Sequence, residues 1–335
     1  MNVLSLFDGL SGGRIALDRL GIQVDNYYSS EIDKYAIQVS QDNYPDIIRL
    51  GSVLDLSDED LKALPKIDLL IGGSPCQGFS LAGHQKGSST KEGVDVVSLE
   101  QYLDLKEQGF EFNGQSYLFW EYVRIWQIIK PKYFFLENVK ITAKWLPMFN
   151  DTMGCEPIKI NSNLMSAQNR LRFYWTNIPN IEQPTDKKLL LESILEDKIE
   201  DRFLLVEELS EVAKYTSETY YNCAFTERRT EEAKRIRREH RIKHGGDFSP
   251  RRGKELVPRT DSKMNCLTAT FSKKEHSLLD SNGVYRKLTP LEFERLQTLP
   301  ENYTQSVSDN QRYRMIGNGW TIDVICHFFK NMEGV

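Results

Sequence analysis

The chain has 335 residues, 40% of them hydrophobic and 27% charged, with a net charge of −5. That length supports a substantial core and one to three domains, and no window approaches the 18 uninterrupted apolar residues of a transmembrane helix. Five scattered cysteines, with no Cys-x-x-Cys pair and no Cys/His cluster, argue against a zinc framework and fit a reducing compartment.

The start, Met1-Asn2-Val3-Leu4-Ser5-Leu6-Phe7-Asp8, has no basic n-region and meets an acid at once. Residues 3–7 therefore read as a buried first strand and not as a signal peptide. The turn Phe7-Asp8-Gly9-Leu10-Ser11-Gly12-Gly13 follows, and its glycines let the backbone approach a ligand or simply serve the turn. Residues 14–20 read as a helix closed by Gly21. Residues 26–30 read as a second strand ending at Glu31, 22 residues after Gly9, a spacing at which a carboxylate takes ribose hydroxyls. A glycine turn plus an acid does not separate a nicotinamide cofactor from S-adenosylmethionine, although the departure from Gly-x-Gly-x-x-Gly leans away from the dinucleotide. Residues 33–41 are helical.

Residues 67–71 form an apolar strand that runs into Gly72-Gly73-Ser74-Pro75-Cys76-Gln77-Gly78-Phe79-Ser80. In an open α/β sheet this loop lies over the carboxyl edge, where ligands bind, and a thiol there is positioned as a nucleophile. The other cysteines, Cys155, Cys223, Cys266 and Cys326, read as inert buried hydrophobes. Residues 84–116 break the rhythm. Residues 85–95 are polar and glycine-rich, a lid over the cysteine loop or a disordered insertion, and 96–114 read as a plain insertion. A helix over 118–129 and a strand over 132–136 restore the alternation.

Glu137-Asn138-Val139 closes that strand at the same sheet edge as Cys76. A carboxylate partly withdrawn from water there suits sharing a proton with a base; the alternative is a solvent-facing glutamate at a strand end. Gln168-Asn169-Arg170-Leu171-Arg172 precedes Phe173-Tyr174-Trp175. In an extended segment the two arginines share a face and can clamp a phosphate and a carbonyl oxygen, unless they are ordinary surface arginines. Gln183-Pro184-Thr185-Asp186 reads as a linker, and residues 186–283 are charged, Tyr- and Arg-rich and poor in alternation. Within them, residues 226–255 hold eleven Lys/Arg against six Asp/Glu. This is a surface for phosphates or a solvated helix laced with pairs such as Glu231–Arg235 and Glu239–Lys243. Helical order resumes near Pro290. Met315-Ile316-Gly317-Asn318-Gly319-Trp320-Thr321 is a second glycine turn before an amphipathic last helix over 321–331. The alternation implies an α/β fold, a Rossmann-like, mostly parallel sheet with helices on both faces, joined to a smaller irregular region.

Taken together, these segments resemble the cytosine-5 DNA methyltransferase family in order and spacing, over residues 3–174 and again over 266–329. The Phe7–Gly13 turn resembles the family's cofactor turn, and Pro75-Cys76-Gln77 its nucleophile loop. Glu137-Asn138-Val139 is similar to its acidic motif and Gln168-x-Arg170-x-Arg172 to its arginine motif. Arg286-Lys287-Leu288-Thr289-Pro290-x-Glu292 and Gly317-Asn318 resemble its closing motifs. The resemblance implies a catalytic domain over 1–181 and 284–335 with a target recognition domain over 182–283. It implies S-adenosylmethionine as donor, S-adenosylhomocysteine as product and no metal, since the sulfonium is already activated. Cys76 would attack C6 of a cytosine flipped out of double-stranded DNA, Glu137 would hold N3 and the exocyclic amine, Arg172 the base carbonyl and Arg170 a phosphate. Phe7, Gly9, Glu31, Ile32, Val53, Pro75 and Asn318 would touch the cofactor. Ser52 stands where the family usually has an aspartate for the adenine amino group, so Asp55 is the expected substitute. Gln115-Ser116 and Gly319-Trp320 are further departures.

Ser80, Gln85, Arg228, Arg229, Arg235, Arg251 and Arg252 are the expected DNA contacts, with residues 186–265 reading the sequence. The expected setting is a prokaryotic or phage-encoded cytoplasmic enzyme, with a cognate restriction endonuclease as a candidate partner and no membrane. Two other readings stay open: the same chemistry on transfer RNA, and a silent nucleic-acid-binding homologue. The second is expected to have lost Cys76 or Glu137, and this chain keeps both. A nicotinamide dehydrogenase leaves the thiol and the arginine pair unexplained.

Overall fold

The computed structural model describes residues 1–75, 78–79, 87–207, 209–215, 220–245, 253–272 and 275–334. Seven strands build the main sheet: β1 (Asn2–Leu6), β2 (Asn26–Ser30), β3 (Ile48–Gly51), β4 (Leu69–Gly72), β5 (Tyr133–Val139), β6 (Ile158–Asn161) and β7 (Leu171–Thr176), in the order β3-β2-β1-β4-β5-β7-β6. The first five are parallel, and β7 runs antiparallel to both β5 and β6. The helices are α1 (Gly12–Arg19), α2 (Lys34–Asn43), α3 (Asp58–Ala63), α4 (Leu99–Glu107), α5 (Leu118–Ile129), α6 (Leu146–Met153), α7 (Leu209–Val212), α8 (Glu231–His244), α9 (Pro290–Leu296), α10 (Asp309–Asn318) and α11 (Ile322–Phe329).

Side-chain alternation decides which helices cover which face. Val3, Leu69, Ile71 and Phe135 point to one side, into a core shared with Ile15 and Ala16 of α1 and Val324 and Phe328 of α11. Leu4, Leu6, Leu70 and Leu136 point to the other side, against Phe119, Tyr122 and Val123 of α5. A fully buried aliphatic side chain contributes roughly 1.5–3 kcal/mol, so these two layers dominate stability. Gly13 is required where α1 crosses β4: a Cβ there would stand 2.1 Å from Ile71 Cδ1. β2 and β3 lie on one side of β1, and β4 and β5 on the other. The carboxyl ends of β1 and β4 therefore flank the point where the strand order reverses, the crevice in which open sheets bind ligands.

Two regions differ from the sequence expectation. The stretch read as a plain insertion over 96–114 contains α4, started by Ser98, whose hydroxyl accepts from Gln101 N–H. It packs on α5 through a buried ionic knot, in which Glu121 accepts from Tyr102 at 2.5 Å, Lys106 at 2.6 Å and Arg124 at 2.8 Å. Ser88 and Thr90 are buried as well, and Thr90 bridges to Phe112. The region expected to be irregular carries an antiparallel sheet, β11-β10-β8-β9, made of β8 (Cys223–Arg229), β9 (Lys254–Pro258), β10 (Ser277–Leu279) and β11 (Tyr285–Lys287). Its own core holds Leu205, Phe225, Leu256, Leu279 and Tyr285.

The second sheet is anchored firmly. Lys263 donates to the carbonyls of Asn163 at 2.8 Å and Ser166 at 3.1 Å, and its burial lowers its pKa. Met264 bridges to Gln168. On the other flank, buried Arg286 of β11 makes two bonds to Glu292, at 2.8 and 2.7 Å, while Glu292 closes a capping box with Thr289 at the start of α9. Among the described residues, no helix is long and apolar enough to cross a membrane.

Candidate active site

A cavity of about 500 Å³ opens over the carboxyl ends of β1, β4 and β5. Its floor is the turn after β1. Phe7, Gly9 and Ser11 all take left-handed conformations, with φ of 57°, 57° and 60°. For a phenylalanine and a serine this backbone needs support. Asp8 supplies it. Its buried carboxylate accepts four hydroxyls: Ser5 at 2.6 Å, Tyr27 at 2.8 Å, Ser11 at 2.6 Å and Ser29 at 2.8 Å. The sequence reading passed over Asp8, although an acid inside a glycine turn among serines was the available signal.

Glu31 stands where β2 ends. One oxygen accepts Gly9 N–H at 2.7 Å, and the other accepts Ile32 N–H at 2.7 Å and Asp33 N–H at 2.8 Å. The carboxylate is thereby held at the cavity wall beside Phe7, Ile32 and Val53. A fixed carboxylate, apolar walls, and the polar groups of Ser52 and Asn318 form a donor set suited to the adenosine part of S-adenosylmethionine, a diol beside a flat purine. Asp55 does not join them. It lines a separate shallow groove with Ser57, Lys106 and Arg124, because the short 3-10 turn that Ser52 caps carries residue 55 off the cavity. Ser52, not Asp55, faces the site.

The far wall holds the expected acid and arginines. Arg172 Nε lies 2.9 Å from Glu137 Oε1, but its N–H is not aligned for a hydrogen bond, and Oε1 is buried with no hydrogen-bond partner among the described residues. Glu137 Oε2 accepts the indole N–H of Trp320 at 3.3 Å. Arg170 is committed elsewhere. Its guanidinium, almost fully buried, donates to the carbonyls of Leu267 at 2.9 Å, Gly317 at 3.3 Å and Gly319 at 2.8 Å. It ties β7 to the turn after α10, in place of reaching out to a phosphate.

Burial works against the charge on both arginines. For Arg170 burial wins, with Arg172 adding repulsion, and the pKa falls; for Arg172 the neighbouring Cys266 and Glu137 outweigh burial and raise it. Cys266 was read as an inert hydrophobe. It sits with its sulfur 3.5 Å from Arg170 and 3.7 Å from Arg172. Burial opposes its ionisation, but the two guanidiniums prevail and lower the thiol's pKa.

Pro75 lines the same cavity as Glu137, and Ser74 accepts from Asn138 at 3.4 Å. Cys76 itself, with Ser80, Gln85, Arg251 and Arg252, lies outside the described residues. Gly78 N–H donates to Ser116 at 2.7 Å, and Phe79 is fully buried against Trp145 and Phe149. Arg228, Arg229 and Arg235 are not at the cavity; they belong to β8 and α8. Arg228 is exposed, and Arg235 pairs with Glu232 at 2.6 Å and Glu239 at 3.1 Å. Gln115, Tyr117, Gln311 and Arg314 complete the rim, with Arg314 paired to Asp33 at 2.9 Å. Among the described residues there is no cluster of potential metal ligands.

The model of the C-5 cytosine-specific DNA methylases matches residues 1–144 and 160–334. This chain belongs to that family. Membership makes it a DNA (cytosine-5-)-methyltransferase by class. The curated proteins it resembles include the type II methyltransferase M1.ScrFI of Lactococcus lactis subsp. cremoris, 28% identical over 96% of this chain and 75% of that protein. The type II methyltransferase M.HhaI of Haemophilus parahaemolyticus is 28% identical over 99% of this chain and 94% of that protein. Among solved structures, the Entamoeba histolytica methyltransferase EhMeth superposes with a TM-score of 0.65 at 15% identity, over 99% of this chain and 97% of that one. A putative DNA modification methyltransferase from an Escherichia coli prophage superposes with a TM-score of 0.60 at 18% identity, over 99% of this chain and 98% of that one. At those identities the superpositions support the fold.

Proposed function

We propose that this chain methylates C5 of cytosine at a specific sequence in duplex DNA, through a covalent bond from Cys76 to C6 of a flipped base. One observation carries the reading: Glu137 lines the cavity, and its buried Oε1 has no hydrogen-bond partner among the described residues. A buried acceptor left unmade costs about 1–3 kcal/mol, so such a vacancy suits an incoming N–H group. A cytosine presents its exocyclic amine, and N3 once it carries a proton, along one edge.

The residues divide the chemistry. Protonation of N3 draws electron density from the ring and opens C6 to the thiolate of Cys76, and Glu137 stabilises that form by accepting from N3–H and the amine. Addition at C6 makes C5 nucleophilic. S-adenosylmethionine, when bound by Phe7, Gly9, Glu31, Ile32, Val53, Pro75 and Asn318, supplies a methyl group on a sulfonium sulfur and leaves as S-adenosylhomocysteine. Water takes the C5 proton, the electron pair left behind expels the thiolate from C6, and release of the N3 proton restores the neutral aromatic base. Arg172 stays beside Glu137 and faces the base carbonyl, while Arg170 holds Arg172's strand and the Gly317–Gly319 turn in register. The exposed basic face of β8 and α8 meets DNA phosphates.

The test is methyl transfer from labelled donor to duplex DNA and, in parallel, to transfer RNA, followed by bisulfite sequencing. Label in DNA at one recurring site supports the reading. Label only in transfer RNA moves the chemistry to another substrate, and label in neither makes the chain a binding protein. A restriction endonuclease of the same specificity is the partner to seek if the site is a short palindrome.

A further inference from the structure

The last turn before α11 reads Gly319-Trp320, and the indole is not spare packing. Its N–H reaches Glu137 Oε2 at 3.3 Å. Its ring meets Phe135 edge-on, with centroids 5.7 Å apart, on the same strand as Glu137. Gly73, at the end of β4, gives both groups room: a Cβ there would stand 3.1 Å from the indole nitrogen and 3.3 Å from Glu137 Oε2. A Cβ on Gly12, in the turn beneath the cavity, would stand 3.7 Å from the same ring. Trp320 thus fills the seam between the cofactor turn and the acid.

We infer that Trp320 is a positioning residue for Glu137. A carboxylate at a strand end has two equivalent oxygens and a free terminal torsion. The indole occupies Oε2 and stops that rotation, and Arg172, lying beside Oε1 without a hydrogen bond to it, holds the charge, while no described residue takes that oxygen's lone pairs from the base. One oxygen is thereby reserved for structure and one for substrate. The inference rests on the reading of Glu137 as the group that holds the cytosine edge.

Trp320→Phe keeps the ring and removes the N–H. It is expected to lower kcat about tenfold, the loss of one hydrogen bond to a charged group, with the KM for plasmid DNA and the Kd for S-adenosylhomocysteine changed less than about twofold. A purely structural role would raise KM and Kd together with the fall in kcat. The contact has a second readout that needs no turnover. The chain has five tryptophans, and in ¹⁵N–¹H spectra Glu137→Gln should displace one indole resonance strongly, the one that Trp320→Phe deletes. Undiminished kcat in Trp320→Phe, or indole resonances indifferent to Glu137→Gln, overturns the assignment. Wild-type protein that methylates no cytosine, yet shows the displaced resonance, would remove the functional reading and leave the Trp320–Glu137 contact standing.

Discussion

At the scale of single residues, two side chains separate binding from chemistry. Cys76→Ser replaces a thiolate with a hydroxyl that is scarcely ionised near neutral pH, so methyl transfer should fall below detection while S-adenosylhomocysteine binds as before. Retained 5-methylcytosine in that variant would falsify the nucleophile assignment. Glu31→Ala acts on the other half. It strips acceptors from the N–H groups of Gly9, Ile32 and Asp33. Lost hydrogen bonds to a charged group should weaken S-adenosylhomocysteine about tenfold or more by calorimetry, and an unchanged Kd would place the cofactor elsewhere. The places of Glu31 and Glu137 at the cavity were legible because each ends a strand at the carboxyl edge of the sheet, Glu31 at 22 residues after Gly9 and Glu137 after an apolar run. Asp55 misled because sequence proximity to Ser52 says nothing about which way a 3-10 turn points a side chain. Cys266 and the bracing use of Arg170 were hidden because their partners come from distant segments, such as Arg170 for Cys266 and Gly317 for Arg170.

Among the elements, β1, β2, β4, β5 and α5 were readable from runs of the right length and alternation along the chain, while β3, α4 and the second sheet were not. α4 is marked by polar composition and held by the buried Glu121 knot, an interaction that no local periodicity reports. The strands β8 and β9 carry charged residues such as Arg228 and Lys254 on exposed positions, and β8 buries Cys223, Ala224 and Phe225 in a row, so no clean alternation marks them. The entry to β10 has a pH signature. His276 packs between Phe271 and Phe293, its Nδ1 accepts from Ser272 N–H at 3.1 Å, and its Nε2 has no hydrogen-bond partner among the described residues. Burial pushes its pKa down to about 4 from an ordinary 6.5. The unfolded chain therefore binds the proton first, and the stability present above about pH 6.5 is lost as pH falls toward 4. The loss should be on the order of 3 kcal/mol from this group. Urea titrations at stepped pH should show that loss in the wild type and a shallower slope over the same window in His276→Gln; equal slopes would exclude His276 as its source.

For the molecule as a whole, the question is how a chain of net charge −5 carries both a catalytic sheet and a surface for a polyanion. Segregation answers it: Glu31 and Glu137, the acids proposed to serve the reaction, sit at the edge of the main sheet, and most of the described basic run sits on β8 and α8. If the second sheet reads sequence, exchanging it for the corresponding segment of a relative should change the site methylated and leave the chemistry intact. The cut cannot follow composition alone. Leu191, Ile194 and Met264 belong to the main core although they fall inside the compositionally divergent stretch 186–265, and Lys263 is bonded to Asn163 and Ser166. Replacing 186–265 outright would open a cavity under α9, and each lost large side chain costs about 2–5 kcal/mol. A graft confined to residues 205–260 keeps those anchors. It is expected to move the methylated sequence in bisulfite reads, to hold the S-adenosylhomocysteine Kd within about threefold, and to keep a steep fall of DNA affinity with salt. A graft that folds, methylates and keeps the parent site would assign recognition to the catalytic face instead.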